Sequence, residues 1–146
     1  MTDFLKHIKK AVGIPEAFYC YVRNGESLSK SYNPKRLEKT VIFLKALEER
    51  LIEVCERDEY KIYLSRLIQG FGRVLSSQEI IHAKENNIPY SSLKAKLKKI
   101  LIDLNIKETL KTYPWHKLPV KQAVFAFAMK YKLFFIQRLL VLLRNG

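Results

Sequence analysis

Three histidines, His7, His82 and His116, are the first candidates for metal or acid–base chemistry, and they are spread along the whole chain. None belongs to an HxxxH or HExxH pair, the helical spacing that aims two imidazoles at one ion. The neighbouring carboxylates Glu48-Glu49 and Asp58-Glu59 fall on amphipathic stretches, where acidic side chains face water, so paired-carboxylate catalysis is not specified. Gly70-Phe71-Gly72 lacks both the strand-to-helix setting and the further spacing of a phosphate-binding loop, and is expected to serve a bend or a close helix crossing. Ser27 and Ser92 do not sit in a GxSxG elbow. The lysines at 94, 96, 98 and 99 carry enough charge to hold phosphates, but no nucleic-acid recognition module accompanies them, so a solvated helix face is expected and nucleic acid is not an expected partner. Cys20 and Cys55 lie in no CxxC or Cys/His cluster and read as free thiols. No catalytic residue and no metal ligand emerges.

The elements that would position such residues are mostly helical. With 146 residues, 48% of them hydrophobic, the chain is long enough and apolar enough to bury one core. Phe4, Leu5, Ile8 and Val12 share a face of a short helix that Gly13 ends. Residues 16–23, aromatic and β-branched, read as a strand closed by the Asn24-Gly25 turn. Asn33-Pro34 then offers an N-cap and a proline at the first helical position. Leu37, Val41, Leu44, Leu47, Leu51 and Cys55 recur at helical spacing toward Arg57. Asp58 would cap the next helix, with a restart at Ser76, whose spacing to Glu79 is that of a capping box. After Asn86-Asn87-Ile88-Pro89, Ser91 or Ser92 would cap a helix carrying Leu93, Leu97, Ile100, Leu101 and Leu104 on one face. A last helical region runs from Pro119 toward Arg144, with an interruption at Lys130-Tyr131-Lys132. The expected fold is mainly α, a helical bundle with one short strand or hairpin near the N-terminus. It forms a single helical domain over 1–146, divided into a helix, strand and loop over 1–32 and a helical region over 33–146.

One stretch carries a family resemblance. Residues 14–29, Ile-Pro-Glu-Ala-Phe-Tyr-Cys-Tyr-Val-Arg-Asn-Gly-Glu-Ser-Leu-Ser, followed by Lys35-Arg36-Leu37, resemble the segment of bacterial family-2 glycosyltransferases of the GT-A type in which an aromatic strand and a serine-containing turn precede a long helix. Thr2-Asp3-Phe4 is similar to the tail of the acidic catalytic-base motif that precedes it. The resemblance implies that Tyr19, Tyr21, Arg23, Ser27 and Ser29 lie near the rim of the donor–acceptor cleft and contact sugar or diphosphate oxygens. It also implies that the chain is the C-terminal accessory region of a transferase in surface-polysaccharide synthesis. The nucleotide-binding sheet and the DxD acids of the family have no counterpart here. The chain alone is therefore expected to be inactive and to carry no cofactor, a nucleotide-sugar and divalent metal being expected only with a glycosyltransferase catalytic domain as partner.

Charge points to a second partner. The 27 Lys and Arg against 14 Asp and Glu give a net charge of +13, which favours anionic surfaces. From Thr109 to Gly146 there is no acidic residue. Trp115, Lys121, Lys130, Lys132, Arg138 and Arg144 are accordingly candidates for attachment to an anionic membrane surface, as in a stand-alone basic module that docks on lipid or on a protein. The competing expectation is that Val124, Phe127, Phe135 and Leu139 fill the core while the lysines reach outward. The longest uncharged apolar run, Ala123 to Met129, is far short of the ~20 residues that span a bilayer. No secretory signal is read at the N-terminus, so the expected location is cytoplasmic, peripheral at the inner face of the cell membrane.

Overall fold

The structure, a computed structural model, describes residues 32–54 and 59–144. The strand expected near the N-terminus, the cysteines and the Asp58 cap lie outside the described residues. Among those described, the fold is mainly α: α1 (Arg36–Val54), α2 (Glu59–Glu85), α3 (Tyr90–Asp103), α4 (Ile106–Thr112), a 3-10 turn (Trp115–Lys117), α5 (Val120–Lys130) and α6 (Phe134–Arg144). The entry to α1 follows the sequence: Asn33 Oδ1 accepts the Lys35 N–H at 2.9 Å, the bond an N-cap asparagine makes across a following proline.

The long helix α2 is the hub, packing against every other helix of the bundle. It runs unbroken through Gly70, Gly72 and Ser76, so the expected restart at Ser76 does not occur. Ser76 is instead fully buried, one turn before the buried Ile80. Gly72 marks the close crossing: a Cβ there would stand 2.8 Å from Ile106 Cδ1 on α4. The core gathers Leu64, Leu75 and Ile80 of α2, the Leu93/Leu97/Ile100/Leu101 stripe of α3, Ile106 and Leu110 of α4, and Phe125 and Met129 of α5. At ~1.5–3 kcal/mol for each large side chain taken from water, this burial is what holds the bundle together.

The helix ends are set by residues in the left-handed region. Asn87 (φ 51), Asn105 (φ 48) and Lys132 (φ 56) each turn the chain out of a helix. At the end of α2, Ile88 N–H donates to Ala83 O at 2.9 Å, and at the end of α5, Leu133 N–H donates to Ala128 O at 2.8 Å, closing the turns of a Schellman motif. The interruption expected at residues 130–132 is thus present. The capping role expected of Ser91 or Ser92 is not: α3 begins at Tyr90 behind Pro89, whose φ of −55 and ψ of 143 supply the non-helical entry without a side-chain cap. The short α4 was not expected.

Candidate functional site

Helix α5 is apolar on two faces. Phe125, Ala126, Ala128 and Met129 are buried in the bundle, whereas Val120, Val124, Phe127 and Tyr131, at steps of four, three and four, are exposed. A helix with apolar residues all round normally has both sides covered. The next helix repeats the arrangement: Phe134 and Val141 point inward, while Phe135 (68% exposed), Leu139 and Leu143 (73%) follow one another every four residues on the outside. The two helices pack against each other. The core role expected for Val124, Phe127, Phe135 and Leu139 is therefore corrected. The break at Lys132 lets α6 take its own direction, so both helices can spend one apolar stripe on the core and keep another outside.

Aromatic and basic groups accompany these stripes. The Phe127 ring lies 6.0 Å from Trp115 and 4.6 Å from Tyr131, centroid to centroid. Lys130 Nζ sits over both outer rings, 5.3 Å from the Trp115 centroid and 5.8 Å from that of Tyr131. Its ammonium is thus held against the faces of two aromatic rings. Lys121 and Lys132 are exposed. Arg138 is exposed as well, with its guanidinium 5.7 Å from the Tyr90 ring. The structure places Trp115, Lys121, Lys130, Lys132 and Arg138 on the 3-10 turn, α5, α6 and the turn between them, and brings Lys130 and Trp115 together. The Arg144 side chain lies outside those described.

No protein-family model, curated protein or solved structure matches the chain. The residues that carry the glycosyltransferase resemblance, Tyr19, Tyr21, Arg23, Ser27 and Ser29, lie outside the described residues. Among the described residues no group of three or more His, Cys, Asp or Glu side chains could hold a metal ion, and no helix is long and apolar enough to cross a membrane.

A second group of side chains went unnoticed in the sequence. Lys94, Lys98 and Lys99 face water, but Lys96 is half-buried and donates to Glu79 Oε2 at 3.1 Å and to the Tyr32 hydroxyl at 3.0 Å. Tyr32 in turn donates to the Glu79 carboxylate, 3.0 and 3.3 Å from its two oxygens. The Tyr32 ring is stacked on His82, with centroids 3.6 Å apart and planes within 2°. The bond to the Tyr32 hydroxyl is the first cause that raises the Lys96 pKa above the ordinary lysine value; burial opposes it, and the Glu79 carboxylate adds to it by hydrogen bond and charge. Tyr32 lies 47 residues from Glu79 and 64 from Lys96, so no local spacing could have announced the group.

Proposed function

We propose that the protein is a basic helical module that attaches peripherally to an anionic membrane surface through α5 and α6. In line with the resemblance of residues 14–29, it would do so as the accessory region of a glycosyltransferase acting on surface polysaccharide at the inner face of the membrane. The observation that carries attachment is the outer apolar stripe on each of two consecutive helices, lying among basic residues in a stretch without one acidic side chain. Apolar patches of this kind mark interaction surfaces. The charge favours an anionic partner, because Lys121, Lys130, Lys132 and Arg138 would each gain about 1 kcal/mol near a negative leaflet. Trp115, Tyr131 and Lys130 suit the headgroup level, where amphipathic rings and long cationic stems keep their polar ends wet.

Co-sedimentation with vesicles tests the reading. Binding should require anionic lipid, weaken at high salt, and be lost when the exposed Phe135 and Leu139 are both changed to serine. Trp115 is the only tryptophan of the chain, so its emission should shift to the blue on anionic vesicles. Partitioning to neither neutral nor anionic vesicles would refute attachment. The accessory role is tested separately by calorimetry with nucleotide-sugars and Mn²⁺, where sub-micromolar binding by the chain alone would overturn it.

A further inference from the structure

The inner side of α6 meets the bundle through Phe134 and Val141, yet between them it buries a glutamine. Gln137 is 0% exposed, as is Ala128 near the end of α5. The Gln137 Nε2 donates to Ala128 O at 3.2 Å, nine residues back along the chain. Its Oε1 is buried with no partner among the described residues. An amide buried with one polar atom unpaired is less favourable than a methionine or leucine of similar size at the same place. Core packing therefore does not account for this residue.

The carbonyl that Gln137 reaches is the one that ends α5. Ala128 O also accepts the Leu133 N–H at 2.8 Å, so one oxygen takes both the bond that closes the turn and the bond that returns from α6. That turn needs outside support. Only Tyr131, Lys132 and Leu133 separate the two helices, and Lys132 holds a φ of 56, which residues with a side chain rarely adopt. Gln137 lies in the first turn of α6, its own N–H bonded to Leu133 O at 3.1 Å. Its side chain thus ties the first turn of α6 to the last turn of α5. The tie is buried, where a hydrogen bond is electrostatically stronger than in water.

We propose that Gln137 is a positioning residue: its bond to Ala128 O fixes the angle between α5 and α6, and with it the arrangement of their two outer apolar stripes for attachment. The use of that angle rests on the membrane reading; the angle itself rests on the Ala128 bond. Each helix has 11 residues and is roughly 16 Å long, so neither outer stripe is extensive by itself. Two short stripes held at one angle enter a surface in a single event, whereas a loose corner loses orientational freedom when it binds. The fixed corner raises affinity without adding a contact.

Gln137→Met keeps the length of the side chain and removes its donor. Nitroxide labels on Val120→Cys and Leu143→Cys, both exposed, report the corner by the distance between them, measured in the full chain without vesicles and in a background carrying Cys20→Ser and Cys55→Ser. One narrow distance is expected with Gln137 in place, and a broad or displaced one in Gln137→Met. In unlabelled protein the same change should leave the melting temperature no lower and weaken binding to vesicles of phosphatidylglycerol and phosphatidylcholine in equal parts at least about fivefold. Gln137→Leu, which also lacks the donor, carries the same expectations and decides the matter should the methionine variant not fold. An equally narrow, unmoved distance in the variants overturns the positioning role. So does a vesicle affinity that is unchanged with the corner loosened, or one that falls only together with the melting temperature. Absence of vesicle binding by the wild type refutes the membrane reading, and the distance then still decides whether Gln137 sets the corner.

Discussion

Gly70 and Gly72 stand two residues apart on one continuous helix, yet adding a methyl group should change stability in opposite directions. A Cβ at position 70 meets nothing within 4 Å. Gly70→Ala therefore only removes the backbone cost of glycine in a helix, a gain of about 1 kcal/mol. In a domain of this size that raises the melting temperature by roughly 3–5 °C. At position 72 the same gain is opposed, because the new methyl would stand 2.8 Å from Ile106 Cδ1 and 3.4 Å from Met129 Sδ. Both neighbours are only 1% exposed, so neither can swing into water to make room. Overpacking of this kind costs about 1–3 kcal/mol, which turns the change into a net loss of up to about 2 kcal/mol. Ile106→Val removes the obstructing Cδ1 and by itself costs about 0.5–1.5 kcal/mol. Combined with Gly72→Ala it should recover stability, with a coupling of about 1 kcal/mol or more in the favourable direction. Urea unfolding of the four variants and the wild type, with unchanged slopes, gives these differences directly. If Gly72→Ala stabilises as much as Gly70→Ala, or if the double variant is additive, the close crossing of α2 and α4 is refuted.

Two further changes probe the turn after α5 and the group around Lys96. Lys132 holds a φ of 56 at the end of α5, so Lys132→Gly should raise stability by about 1 kcal/mol in a thermal melt. The same change should lower affinity for anionic vesicles about fivefold through loss of one cation, and unchanged vesicle binding would remove Lys132 from the membrane face. The Lys96 pKa is raised in the folded state, first by the Tyr32 hydroxyl, so the stability it contributes is complete below the ordinary lysine value near 10.5 and is lost as pH rises through the higher folded value. Tyr32→Phe should flatten the fall in melting temperature across that window, and an identical alkaline profile in both proteins would show that the bond to Tyr32 does not stabilise the charged lysine.

What could be read from the sequence was the part governed by one face of one helix. The α3 stripe of Leu93, Leu97, Ile100 and Leu101 is buried as its spacing requires. The break at residues 130–132 also appears, although glycine, the usual left-handed terminator, is replaced there by a lysine. Local motifs misled where tertiary packing decided the matter. Ser76 has capping-box spacing to Glu79, but a serine on the apolar face of a long amphipathic helix has that spacing by chance, and here the core on either side keeps the helix intact. The serines at 91 and 92 lost the cap to Pro89, whose fixed φ already provides the turn into the helix. The polar group of Tyr32, Glu79 and Lys96 left no trace in spacing because three separate elements create it.

The C-terminal helices show why apolar residues alone do not identify a core. In α5, Val124 and Phe127 are as apolar as Phe125 and Met129, and the two sets occupy different sides of one helix. Periodicity reveals that there are two such sides but not which one the bundle covers. That choice belongs to the crossing of α5 with α2 and α4, which places Phe125, Ala126, Ala128 and Met129 inward, two of them small enough to let the helices approach. Once that side is committed, Val120, Val124, Phe127 and Tyr131 are left outside, and the same division on α6 leaves Phe135, Leu139 and Leu143. Water is a poor partner for so many apolar side chains, and the cations among them suit an anionic surface better than a neutral one. The outer stripe is therefore left exposed only through the packing of the inner one.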